Sequence, residues 1–201
     1  MRELQPVLVV VGGHAGVEAA LAAARCGADV VLLTHDPDAL VRLSCNPAIG
    51  GIGKGHLVRE VDAMGGAMGI AADLAGIHFR VLNRSRGPAV QGPRVQQDAE
   101  RYPAAVGRIV AAEPRLRVER GEAAGLILEG GRVAGAETLD GRRFPASAVV
   151  LTTGTFLGGR LFRGAEVVPG GRTGEPPAEA LSGALRRAGL RLERFKTGTP
   201  P

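Results

Sequence analysis

The 201-residue chain has no tryptophan, one tyrosine, two cysteines and two lysines. Cys26 and Cys45 are too few for a disulfide framework, and neither stands in a metal-ligand spacing. No apolar run approaches the roughly 20 residues that a bilayer span requires. The opening "MRELQPVLVVVGG" lacks the charged, apolar and small-residue succession of a secretory signal, so a cytoplasmic protein is expected. Histidines 14, 35, 56 and 78 show no metal spacing, no serine lies in a nucleophile elbow, and internal repeats and low-complexity tracts are missing. With lysine only at 54 and 196, 23 of the 25 basic residues are arginine. The net charge of +5 fits contact with nucleic acid or another polyanion, and biased codon usage accounts for the arginine excess equally well.

What is present is a globular composition, with 45% hydrophobic residues and a length that can bury a core. Val7 to Val11 is a β-branched run, as in a strand buried on both faces. An alanine-rich helix is expected from about Gly16 to Cys26, stopped by Gly27, and a second buried strand at Val30 to Thr34. Further helices are expected at about His56 to Met64, Val95 to Ala112 and Ala178 to Ala188, with Pro103 bending or splitting the second of these. Residues 67 to 93 read as irregular. Gly130-Gly131 and Asp140-Gly141 are hairpin signals, giving an antiparallel meander over 124 to 147 before a last buried strand, Ala148 to Leu151.

The strand, turn and helix at the amino end resemble a dinucleotide site with a glycine missing. G-x-G-x-x-G becomes Val11-Gly12-Gly13-His14-Ala15-Gly16, retaining the glycine that lets phosphates approach and the one that lets helix and strand pack. Valine at a position that needs an unusual backbone angle would carry about 1–3 kcal/mol of strain. The acid expected after the second strand is also missing: Thr34-His35-Asp36 offers only a displaced Asp36. "AIGGIGKG" at 48–55 fails as a triphosphate loop, having Ala48 and Gly55 where glycine and Ser or Thr are needed. Cys26, late on a helix, is expected to be a small buried hydrophobe. Cys45, in a glycine-rich loop near Lys54 and His56, is either an activated thiol or an ordinary one. Arg84, Arg86, Arg94 and Arg101, with Gln96 and Asp98, form either a phosphate-facing strip or a solvated surface.

The first βαβ unit, the excursion, the meander and a closing strand ending in Thr152-Thr153-Gly154 follow the order of two-dinucleotide-domain FAD enzymes. The expected fold is therefore α/β, a Rossmann-like FAD-binding domain of glutathione-reductase type with an inserted antiparallel β-meander. Residues 1–154 would form that domain, with an irregular excursion at 44–93 and the meander at 124–147, and residues 155–201 would begin a second, incomplete segment.

"GGHAGVEAALAAARCG", "SCNPAIGGIGKGHLVREVDAMGG", "AGIHFRVLNRSRGPAV", "TTGTFLGG" and "RFKTGTPP" closely resemble the amino-terminal part of the tRNA uridine carboxymethylaminomethyl modification enzymes, the MnmG (GidA) family. The resemblance covers essentially the whole chain. It implies a cytoplasmic FAD enzyme, homodimeric at full length, that works with the GTPase MnmE on the wobble uridine of tRNA. Such an enzyme uses methylenetetrahydrofolate, glycine or ammonium, and NADH, whose sites fall outside this chain. Carried over by position, Gly12, Gly13, His14, Ala15 and Gly16 match the flavin phosphate loop, Thr153 and Gly154 the late turn, and Ala123 and Ala178 two further flavin contacts. Cys45 matches the cysteine of the family's S-C-N-P motif, proposed to be catalytic. The chain departs from the family at Val11, at Ala99 in place of an arginine, and at Leu161-Phe162-Arg163-Gly164 after the late turn. Two rival readings are a folate- and FAD-dependent tRNA uridine methyltransferase-like flavoprotein and a non-catalytic binding module.

Overall fold

The computed structural model describes residues 5–43 and 46–196. Strand β1 (Val7–Val10) leads into helix α1 (His14–Arg25) and strand β2 (Val30–Thr34). Leu8, Val9 and Leu32 are fully buried, so the apolar runs do mark strands covered on both faces. On α1, Val17, Ala20, Leu21 and Ala24 form the buried stripe at the spacing of one helix face. Gly27, at φ +91°, ends the helix: its N–H donates to Ala24 O (2.8 Å) and that of Ala28 to Ala23 O (3.1 Å), a paired closure that needs the left-handed residue.

Cys26 is exposed, contrary to expectation. It lies nine residues after buried Val17, about two and a half turns on, and so on the opposite face of α1. A thiol reagent near neutral pH should label Cys26 in the native protein without prior unfolding. Labelling that waits for unfolding would contradict this placement. Cys45 lies outside the described residues.

The excursion is more regular than the sequence led us to expect. It contains β3 (Ala48–Gly50), α2 (Lys54–Ala63), α3 (Ala67–Ala75), β4 (Gly76–Leu82) and β5 (Gly92–Gln97). The three strands form a separate antiparallel sheet in the order β3-β5-β4. Helix α3 buries only alanines, Ala67, Ala71, Ala72 and Ala75, so it approaches its neighbours closely without a stripe of large apolar residues. Glu18 of α1 caps it, its carboxylate accepting from the N–H groups of Ala67 (3.1 Å) and Met68 (2.6 Å). Helix α4 (Arg101–Ala111) begins later than expected, because residues 95–97 belong to β5. Asp98 Oδ1 accepts from the N–H groups of Glu100 and Arg101, both at 2.9 Å, and these bonds hold its carboxyl below the usual range. Pro103 falls in the first turn, where its missing N–H costs no helix bond, and it does not split α4.

Strand β6 (Leu116–Arg120) pairs with β2, and the meander follows as β7 (Ala123–Glu129), β8 (Arg132–Thr138) and β9 (Arg143–Pro145). Strand β10 (Ala148–Leu151) then returns beside β1, completing a parallel sheet in the order β10-β1-β2-β6. A hairpin of β11 (Arg160–Arg163) and β12 (Glu166–Pro169), unread in the sequence, precedes α5 (Glu179–Arg187). Helices α1, α3 and α4 cover one face of the parallel sheet through Val9, Leu32, Tyr102 and Val106. The meander and α5 cover the other through Leu8, Leu33, Ala136, Leu181 and Leu185. This is the expected Rossmann-like α/β fold with its inserted meander. Among the described residues no helix is long and apolar enough to cross a membrane.

Candidate functional site

The chain leaves β1 through a turn in which Val11 adopts φ +81°, a backbone region that glycine enters freely and a β-branched residue does not. The missing glycine is therefore missing where it matters, at a cost of about 1–3 kcal/mol. Gly12 packs against Leu40 and Thr34, while Gly13 faces open space as the N-cap of α1. A Cβ on Gly16 would strike the Val11 carbonyl and lie 2.7 Å from Thr152 Oγ1. That hydroxyl lies 2.7 Å from Val10 O and 3.0 Å from Val11 O, so the end of β10 is tied to the turn after β1. Thr153 O accepts from Phe156 N (3.0 Å), and Gly154 turns the chain at φ +54°. Among the described residues no side chain caps α1 and no acid lies in its first turn. Its leading N–H groups and the positive end of its dipole remain available to an anion.

Beside this turn opens a cleft of about 110 Å³. Val10, Val11, Leu33 and Thr34 come from the strand ends, Gly121, Glu122 and Ala123 from the passage between β6 and β7, and Phe156, Pro176, Ala178 and Leu181 from the last section. The structure thus brings together Ala123 and Ala178, 55 residues apart in sequence, on one wall system. At the rim His35 Nε2 lies 3.1 Å from Glu175 Oε2, and Arg172 pairs with Glu175 Oε1 at 3.1 Å. The Phe156 ring lies 5.4 Å from His35 and 5.7 Å from the Arg172 guanidinium carbon. Asp36 is turned away: Oδ1 accepts from Asp38 N (3.2 Å) and lies 3.3 Å from Arg120 Nη2.

His14 behaves differently from its neighbours in the motif. Its ring stacks on Tyr102 of α4, centroids 5.7 Å apart, and both its Nε2 and the Tyr102 hydroxyl are buried without a partner among the described residues. Only its backbone faces the turn. Burial first, then the charge of Arg172, hold the imidazole below its ordinary value, while burial and then Glu18 push the Tyr102 hydroxyl up. His14 is thus neutral in the fold and protonates more readily when unfolded. Its contribution is complete above about pH 6.5 and is lost as the pH falls through its lower folded value. Melting curves between about pH 7.5 and 5 should fall more steeply for the native chain than for His14→Phe, which keeps the stack and cannot titrate. Parallel curves would contradict this.

In "AIGGIGKG" Gly50 and Gly55 serve packing, while Gly51 and Gly53 serve the turn, at φ +115° and +70°. A Cβ on Gly50 would strike the Pro93 carbonyl, and one on Gly55 would come within 2.6 Å of it. Arg94 and Gln96 lie on β5, with Arg80 of β4 directly opposite Arg94. Arg101 Nη2 donates to Leu74 O (3.4 Å), and Gln91 Nε2 donates to Arg86 O (2.9 Å) across the loop that carries Arg84. Among the described residues none of Arg80, Arg84, Arg86, Arg94 and Arg101 pairs with an acid.

The sequence model of the family described as glucose inhibited division protein A matches residues 6–201. The chain belongs to this family. Two crystal forms of Aquifex aeolicus GidA are 47% identical to it at a TM-score of 0.91, over 98% of this chain and 33% of theirs. A GidA-related protein from Thermus thermophilus is 27% identical at a TM-score of 0.65, over 96% of this chain and 72% of that one. A probable FAD-dependent monooxygenase from Pseudomonas aeruginosa is 17% identical at a TM-score of 0.51, over 73% and 42%, a likeness of fold alone. The chain corresponds to the amino-terminal segment of GidA and spans about a third of the length of the Aquifex proteins.

Proposed function

We propose that this chain is the FAD-binding part of an enzyme that forms carboxymethylaminomethyluridine at the tRNA wobble position. The observation that carries the reading is the cleft at the open amino end of α1. There Gly13 leaves the backbone bare, Gly16 permits the tight junction, and Ala123 and Ala178 form the walls. The fit to a flavin nucleotide is good on both counts that matter: uncapped N–H groups for the pyrophosphate, and apolar walls for a ring. The backbone of Gly12, Gly13, His14, Ala15 and Gly16 would hold the phosphates, with Thr153 and Gly154 alongside. Bound there, the flavin would supply the redox chemistry of the modification. The protein's own part is to orient the cofactor and to keep the turn rigid through Thr152.

In the same reading residues 1–154 form the FAD domain, and residues 155–201 begin a second segment. Cys45 supplies a nucleophilic thiolate, and the unpaired arginines of β4, β5 and the loop between them face tRNA phosphates. NADH and methylenetetrahydrofolate would act in the whole protein, a cytoplasmic homodimer with MnmE as its partner. Saturable flavin binding, read as a change in flavin fluorescence when FAD is titrated with the protein, supports the reading. A protein that shows no saturable flavin binding and nevertheless binds tRNA would point to the binding module instead.

A further inference from the structure

Rossmann-type sites place an acid at the end of the second strand, where it accepts from the ribose hydroxyls. This chain has Thr34-His35-Asp36 there, and Asp36 is committed to Asp38 N and Arg120 outside the cleft. Glu175 reaches the rim, but His35 and Arg172 hold it, each at 3.1 Å. Glu122 is the only carboxylate among the described residues that lines the cleft. It is half-buried and, among the described residues, has no ion pair and no side-chain hydrogen bond.

Its position follows from the sheet register. Strand β6 runs beside β2 with Arg120 opposite Thr34, and Gly121 N donates to Thr34 O (2.8 Å). Glu122 therefore stands next to the tip of β2, the place from which the missing acid would project. Two strand spacings, roughly 10 Å, separate it from the turn after β1, which leaves a ribose-sized gap between this carboxylate and the phosphate-binding end of α1.

We propose that Glu122 supplies, from β6, the carboxylate that accepts from the ribose diol of the adenosine half of FAD. The proposal rests on the reading of the cleft as a flavin nucleotide site. Leu33, Ala123 and Leu181 can enclose a ring but offer its sugar no acceptor. A carboxylate closed under a ligand without a donor would be penalised, so a diol in reach of Glu122 serves both partners.

Calorimetric titration of the native chain, Glu122→Gln and Glu122→Ala with FAD, ADP and 2′,3′-dideoxy-ADP tests this. The native chain should prefer ADP over the dideoxy nucleotide by about tenfold or more, as expected for a hydrogen bond to a charged acceptor. Glu122→Ala should lose about that factor for ADP and FAD, leave the dideoxy nucleotide unchanged and bring the preference close to one, with Glu122→Gln between. Unchanged melting curves exclude misfolding. Saturable FAD binding with the ribose preference intact in Glu122→Ala overturns the role of Glu122 alone. No saturable FAD binding by any of the three proteins overturns the flavin reading and the proposal with it.

Discussion

Gly16→Ala is expected to destabilise the chain by about 3 kcal/mol and to abolish measurable flavin binding. The added methyl group would meet the Val11 carbonyl and Thr152 Oγ1, neither of which is the free end of a flexible side chain. Thr152 is fixed by its contacts with Val10 O and Val11 O, so making room for the methyl group breaks the tie between β10 and the turn. Overpacking of this kind costs about 1–3 kcal/mol, and a lost hydrogen bond adds about 1 kcal/mol. Gly13→Ala is the internal control, because a Cβ there meets nothing within 4 Å. Urea unfolding of both variants checks the difference, and equal midpoints would show that the close junction is not what Gly16 is for.

The second large effect is the absence of turnover. Given tRNA, FAD, NADH, methylenetetrahydrofolate, glycine and MnmE, these 201 residues should yield no modified nucleoside above a no-protein control. Joining a folate carbon to a uridine ring beside a flavin requires all three to be held at near-attack distances, an effect worth about 7–11 kcal/mol of a barrier. In the proposed reading the cleft would take only the nucleotide half of a flavin, within a segment that covers 33% of the Aquifex protein. The unpaired arginines should still give weak, salt-sensitive tRNA binding, because phosphate contacts need no complete active site. Modified uridine in digested tRNA would make the chain a complete minimal enzyme and refute this.

How much of this was legible beforehand depended on how each element buries its surface. Strands β2 and β10 have the bounds that the sequence implied, because a β-branched run between turn signals has few other uses, but β10 is a half-exposed edge strand where a buried one was expected. The meander followed from Gly130-Gly131 and Gly141, all of which adopt positive φ. Helix α3 escaped notice because an alanine face carries no hydrophobic stripe, and β4 because Ile77 and Phe79 are exposed along with His78 and Arg80. Cys26 was misplaced by its helix position alone; counting from Val17 would have turned it outward. In the site, the phosphate turn was readable because its residues are contiguous. Phe156, Pro176 and Glu122 were not, since only the β6 register and the folding back of α5 bring them to the strand ends. The His14 ring was indistinguishable from the rest of its motif until α4 was seen to hold it.

Whether the cleft beside the β1–α1 turn holds FAD despite Val11 is decided by a calorimetric titration of FAD into the native chain and into Val11→Gly. The valine side chain lines the cleft, and its backbone sits at φ +81°, so glycine both opens the approach and relieves the strain. The native chain should show weak, saturable one-site binding, and Val11→Gly should bind more tightly. Equal affinities, or no saturable binding even with glycine restored, would contradict this.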